Sequence, residues 1–294
     1  MSDLRQRRLR EQYEQLLRPK RHNKTPRTRY EKLRRLVVLK GIPPESQQER
    51  STHKSNCSLR GKVWKMLLGV RTVDAQKYAR QVTRLPSTEM SSKIEKDIAR
   101  TLKNNVSYHR RVSDDQLRRV LNSYVSSAED IQQAKQAKQA KQAKQAKHAK
   151  HAKHAKQATR ATQQEETTRD LSSLSTGGMY VQGMNVLAAP FLYVMNELDA
   201  FSCLDRLLRH HCPQYVTKDL HGAHGAASLL QEIVQLVDPE LSSHLSTTYS
   251  GDWGSVTSLP SLLSFSASKP VELSELLKLW DCMFACGVSF FCDH

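Results

Sequence analysis

Three groups of residues have types and spacings that could do chemistry. The first heads the stretch YVQGMNVLAAPFLYVMNE, where Tyr180, Gln182 and Asn185 lead straight into an apolar run, Val186 to Met195, interrupted by Pro190. A buried helix with a functional polar group at its mouth has this form, and so does a core helix whose glutamine caps a neighbour. Proline disrupts a helix or sits where one restarts. The second group is Asp97 and Arg100, three apart and able to meet on adjacent helical turns. Alone, they read as a surface ion pair of small energetic worth. The third is His210, His211 and Cys212, zinc-type donors without a second ligand pair at usable spacing. His148, His151 and His154 could catch a transition metal weakly, but they sit in a repeat that reads as an expanded insertion. No metal site is therefore expected. Nor does the sequence hold a nucleophile and base pair or a glycine-rich phosphate loop, which argues against a metabolic enzyme with its own small-molecule pocket.

Helices must position these residues. In SSKIEKDIARTLKNN, Ser92 with Glu95 three residues on predicts a capping box and a helix start, with Ile94, Ile98 and Leu102 facing inward. Asp114 to Ser126 continues with Leu117, Val120, Leu121 and Val125 on one side. Upstream, Leu33, Leu36, Val37 and Leu39 group on one face of a helix that stops at Gly41, with Pro43 beyond. In SLRGKVWKMLLGV, Leu59, Val63, Trp64, Leu67 and Leu68 share a face. Leu229, Leu230, Ile233, Val234 and Val237 have helical spacing, and a last helix from about Glu272 turns Leu276, Leu277, Leu279, Trp280 and Phe284 inward. No strand alternation emerges, so the expected fold class is all-α.

The chain has 294 residues, 38% apolar, with a formal net charge of +17. That charge would suggest nucleic acid or an anionic surface, but it is local. Eight lysines from Lys135 to Lys156 recur at every third position in five QAK and three HAK triplets. Each residue class advances by about 300° per triplet, so no apolar stripe survives and the tract cannot join a core. No aromatic residues interleave with these lysines, as a single-strand binder would want, and no specific nucleic-acid partner is expected. An insertion of this kind suits an exposed loop with close ends, here near Ser127 and Gly177. Residues 1–29 read as a basic leader helix and connector that dock weakly. Residues 30–130 and 177–294 form the two parts of one domain, separated by the insertion at 131–176. Six scattered cysteines and a charged N-terminus point to a reducing compartment. The run Val186 to Met195 is shorter than the roughly 20 residues a bilayer needs, and no transmembrane segment is expected.

Four separated motifs, RGKVWKMLLG from Arg60, IEKDIAR from Ile94, YVQGMN from Tyr180 and LWDCMFACG from Leu279, resemble the TBC domain of Rab-type GTPase-activating proteins over about residues 30 to 287. AAPFLYVMNE and SLPSLLSFSASKP look most like the branch that serves the fungal mitotic-exit and septation checkpoint. The resemblance implies a protein that stimulates GTP hydrolysis by a Ras-like small GTPase and is not itself an enzyme. Arg100 would be an arginine finger, and Gln182 would orient the attacking water. Asp97 would hold Arg100, with Tyr180, Gly183 and Asn185 supporting and Arg60, Gly61 and Trp64 shaping the face behind. No cofactor of its own is implied, because GTP and magnesium belong to the GTPase. The branch further implies an obligatory second checkpoint protein and a cytoplasmic location at the spindle pole body. A TBC-like scaffold that binds without accelerating hydrolysis is the alternative. Because the family continues beyond Gly287, the C-terminal half is expected to be incomplete, exposing the inward side of the Leu276 to Phe284 helix.

Overall fold

The computed structural model describes residues 2–18, 26–45, 57–84, 86–154, 180–216, 220–269 and 271–287. Among them are thirteen α-helices and no strand, as the patterning led one to expect. They are α1 (Ser2–Leu17), α2 (Pro26–Lys40), α3 (Leu59–Leu67), α4 (Ala75–Val82), α5 (Thr88–Ile98), α6 (Val106–Arg111) and α7 (Asp114–His154), then α8 (Met184–Val194), α9 (Glu197–Arg206), α10 (His221–Val237), α11 (Pro239–Thr248), α12 (Leu259–Leu263) and α13 (Leu273–Cys286). The expectations placed on Gly177 and on the side chains of His148, His151 and His154 lie outside the described residues.

The core is built around α8. Nine of its eleven residues are buried, from Met184 to Val194, and only Val186 and Tyr193 are less covered. Pro190 neither ends nor restarts this helix, which runs through it. The missing N–H costs one bond to the carbonyl of Val186, and packing on all sides outweighs it. α3 crosses the other end of α8 at very short range. Ser58 caps α3 by accepting the Gly61 N–H at 3.1 Å and donates its own hydroxyl to the Val194 carbonyl at 2.6 Å. A Cβ on Gly61 would stand 2.8 Å from that carbonyl, so only glycine allows the approach.

Trp64, Phe191, Trp280 and Phe284 lock α3, α8 and α13 together. Their ring centroids lie 5.2 to 6.0 Å apart, and four of the six pairs meet edge to face, the favoured arrangement of aromatic quadrupoles. Among these apolar rings sits a charge. Both carboxylate oxygens of Asp281 accept from Arg60 Nε at 3.1 Å, and Oδ1 also accepts the Trp64 indole N–H at 2.7 Å.

Burial pushes the Asp281 carboxyl up to about 6, against the opposing pull of the Arg60 charge and the two hydrogen bonds. The unfolded carboxyl ionises near pH 4, so the folded state holds the extra proton between about pH 4 and pH 6. The contribution of this group to stability is therefore complete below that window and is lost as the pH rises through it. A carboxyl ¹³C titration should place its midpoint near pH 6; a midpoint near 4 would mean that the Arg60 charge and the hydrogen bonds fully offset the cost of burial.

Several expected helix faces differ in detail. α13 is covered rather than exposed: Leu276, Leu277, Trp280 and Phe284 are all buried, and α13 packs on α2 and α3. Arg34 of α2 reaches across to the Ala285 carbonyl and, at 2.7 Å, to the Cys286 carbonyl, capping the end of α13. Leu39 and Leu279 face solvent. The apolar surface left open lies instead on α10, where Leu236 and Val237 are 83% and 80% exposed. α1 carries Tyr13, fully buried, whose hydroxyl donates to the Gly41 carbonyl at 2.8 Å. Its docking is thus anchored in the core rather than weak. α7 continues without a break from its buried first half into the repeat, whose residues 133–142 are all exposed.

Candidate functional site

α5 starts at Thr88, capped by Ser87 rather than Ser92, and ends at Ile98. Ser87 follows Pro86, whose fixed geometry suits the chain just before a helix, and the second serine falls inside the helix. Arg100 therefore lies just past the helix, in the turn that follows, whereas Asp97 is buried in the last helical turn.

Asp97 is the hub of the site. Its Oδ1 accepts from Arg100 Nε at 3.0 Å and also from Arg100 Nη2. Its Oδ2 accepts from the Tyr180 hydroxyl at 2.8 Å. Its backbone carbonyl accepts from Asn185 Nδ2 at 3.1 Å and from the Thr101 hydroxyl at 2.8 Å, and Asn185 also donates to Thr101 Oγ1 at 2.8 Å. Tyr180 and Asn185 thus fasten the end of α5 to the start of α8. Burial pushes the Tyr180 phenol well above its ordinary range, and the bond to Asp97 adds to the effect, so it stays a neutral donor at physiological pH. The carboxylate fixes the inner edge of the guanidinium. The Arg100 side chain remains 58% exposed, with Nη1 directed to no acceptor among the described residues.

Gln182 is exposed in the turn that opens α8. The Val181 carbonyl accepts the Met184 N–H at 3.1 Å, and the third turn residue, Gly183, has φ +102° and ψ −11°. That left-handed placement is the one a type II turn reserves for glycine. A Cβ there would touch nothing within 4 Å, so the requirement is conformational and not one of space.

Arg100 and Gln182 line one open cleft of about 960 Å³. Asp97, Lys103, Gly183 and Asn185 line it with them, and Leu259, Leu263, Ser264, Lys269 and Glu272 form the wall across from α12 to α13. Two cationic side chains besides Arg100 against one exposed carboxylate, Glu272, leave the cleft electropositive. Its chemistry is that of charge neutralisation: a tethered guanidinium and a carboxamide, with the Ser264 hydroxyl bonded to the Pro260 carbonyl and to Ser268 rather than to a base. Arg60, Gly61 and Trp64 do not reach it; they fix α3 behind α8. Sequence reasoning did not single out Asp281 or Thr101. An acid between Trp280 and Cys282 in an apolar helix was the available signal for the first; the second had none beyond its place next to Arg100.

Elsewhere, Cys212 is buried, and His211 Nε2 lies 3.1 Å from the Leu68 carbonyl. Among the described residues no group of three His, Cys, Asp or Glu side chains could hold a metal ion, and no helix is long and apolar enough to cross a membrane.

Tyr180→Phe removes a hydrogen bond to a buried carboxylate without altering shape. It is expected to cost about 1.5–3 kcal/mol in denaturant unfolding. An unchanged midpoint would mean that Asp97 is held without Tyr180.

A model of the Rab-GTPase-TBC domain matches residues 57–136 and 169–292. The chain is 33% identical over 259 residues to a Dictyostelium discoideum protein named for the mitotic check point protein BUB2, covering 87% of the chain and 57% of that protein. It is 33% identical over 258 residues to Cell division control protein 16 of Schizosaccharomyces pombe, covering 87% of the chain and 67% of that protein. To the mitotic check point protein BUB2 of Saccharomyces cerevisiae it is 30% identical over 259 residues, 87% of the chain and 70% of that protein. The chain thus spans a little over half of the Dictyostelium relative and about two thirds of the yeast ones.

Proposed function

This chain belongs to the Rab-GTPase-TBC domain family, and from that premise we propose that it stimulates GTP hydrolysis by a Ras-like small GTPase controlling mitotic exit or septation. Arg100 and Gln182 act in trans, in the nucleotide site of the GTPase. Hydrolysis of GTP asks little covalent work of a protein; it is accelerated by orienting a water and neutralising charge that builds on the phosphates. Arg100 supplies the charge, and Gln182 the orientation. GTP and magnesium are held by the GTPase, and this chain needs no cofactor.

One observation carries the reading. An arginine gripped along one edge by a buried carboxylate, and a glutamine on a glycine turn, open onto the same electropositive cleft. Tyr180 and Asn185 join the segments that bear them. Such preorganisation holds the guanidinium ready, with little reorganisation left for the moment of reaction. A scaffold that only bound the GTPase would have no use for it. The names of the relatives, a mitotic check point protein and a cell division control protein, support the cell-cycle setting; in the proposed reading the chain acts with a second checkpoint protein, at the spindle pole body in the cytoplasm.

The test is single-turnover GTP hydrolysis by the candidate septation GTPase, with this chain added alone and together with the second checkpoint protein. Acceleration in either arm is expected. A folded chain that binds the GTPase and accelerates nothing, with or without the partner, would make it the scaffold.

A further inference from the structure

A second hollow, of about 820 Å³, shares none of its described lining residues with the Arg100 cleft. It lies where the end of α1, the start of α2, the last turn of α3 and the end of α9 meet. Among the described residues six full cations line it, Arg27, Arg29, Lys62, Lys65, Arg71 and Arg206, and no carboxylate does. Two of them are already compensated, Lys65 by Asp199 at 2.5 Å and Arg27 by Glu31 at 3.1 Å. Arg29, Lys62, Arg71 and Arg206 have no carboxylate partner among the described residues. Asp74 and Asp205, which line an adjoining hollow with Arg71 and Arg206, have partners of their own: Asp74 caps α4 through the Lys77 N–H at 2.8 Å, and Asp205 pairs with Arg209 at 2.5 Å.

Helix capping accounts for only part of this charge. Arg206 Nε donates to the Leu68 carbonyl at 3.2 Å, beside His211, which is the ordinary use of a cation at a helix C-terminus. Lys62 and Arg71 cap nothing. Gly69, at φ +72°, also leaves one edge of the Arg206 guanidinium bare: a Cβ there would sit 3.5 Å from Nη2. Like charges brought together from four elements repel unless an anion joins them. Forked guanidinium donors match phosphate oxygens in particular.

Shape chooses among anions. The hollow is concave, is floored by Leu17, Met66 and Val70, and has the volume of a small-molecule site rather than of a groove for an extended chain. We propose that it binds a compact, multiply phosphorylated anion of the inositol polyphosphate class, free or as the headgroup of a phosphoinositide. The proposal is independent of what the Arg100 cleft does.

The experiment uses the full chain and two probes: inositol 1,4,5-trisphosphate by calorimetry, and vesicles carrying phosphatidylinositol 4,5-bisphosphate against phosphatidylserine vesicles of equal charge. Saturable one-to-one binding is expected. Lys62→Ala with Arg71→Ala, both exposed and free of internal carboxylate partners, should weaken it by about tenfold or more. Lys62→Arg with Arg71→Lys should restore it, and Lys96→Ala with Arg110→Ala, an equal charge loss elsewhere, should leave it unchanged. Binding of the soluble probe alone identifies a free polyphosphate, and binding of the vesicles identifies a headgroup. The proposal is overturned by any of three results: no binding of either probe at millimolar concentration, equal weakening in the control pair, or tighter binding of a phosphopeptide or single-stranded oligonucleotide through the same two residues.

Discussion

Arg100→Ala is expected to lower the stimulated rate of GTP hydrolysis by about 10³-fold or more, the scale on which a trans-acting arginine contributes. Binding of the GTPase should change far less, because the side chain acts on charge that develops only in the transition state. Arg100→Lys should rescue little. The pair with Asp97 uses Nε and Nη2 together, a fork that lysine cannot reproduce, so the charge would be present but misplaced. Gln182→Ala should produce a comparable loss, and the double variant should be scarcely worse than the weaker single one, because both residues serve one transition state. Single-turnover hydrolysis measures all four chains. Full acceleration by folded Arg100→Ala would sink the finger assignment. Removing Arg100 leaves the buried Asp97 carboxylate with the Tyr180 hydroxyl as its remaining side-chain donor, so the unfolding midpoint of each chain is measured beside its rate to make that outcome readable.

Which parts of this arrangement could be read from the sequence follows from which forces are local. Helical periodicity located the buried faces of α3, α5 and α7, since Trp64, Ile94 and Leu121 are placed by a pattern within one element. The pairing of Asp97 with Arg100 was legible for the same reason: three residues separate them. The family motifs brought Gln182 to attention, but the fastening of Asp97 by Tyr180 and Asn185 joins segments more than eighty residues apart, and spacing alone does not reveal such bonds. Local signals also misplaced detail. The pattern of serine followed three residues on by glutamate fits Ser92, yet the helix begins one turn earlier behind Pro86. Leu39 and Leu279 fit the apolar stripes of their helices but lie at the margin, where neighbouring helices do not reach. The expectation of an exposed α13 failed because its cover comes from α2, some 250 residues away in sequence, through Arg34.

Asp281→Ala is expected to cost about 3 kcal/mol or more, because it strands the largely covered Arg60 guanidinium and the buried Trp64 indole N–H among aromatic rings. Asp281→Asn keeps a partner for Trp64 and should cost less. Arg60→Met with Asp281→Leu removes both charges, and it should be less destabilised than Asp281→Ala, since a buried pair can be replaced as a unit more cheaply than it can be broken. Chemical denaturation of the four chains gives the comparison. The same series separates holding from chemistry. Asp281 fixes α3 and α13 around α8, and α8 carries Gln182 at its other end, so Asp281 acts on hydrolysis only by keeping α8 in place. Below its unfolding midpoint the Asp281→Ala chain should therefore still accelerate hydrolysis in an Arg100-dependent way. A loss of acceleration with stability intact would place Asp281 in the reaction itself, and the separation of the cleft from the aromatic cluster would have to be abandoned.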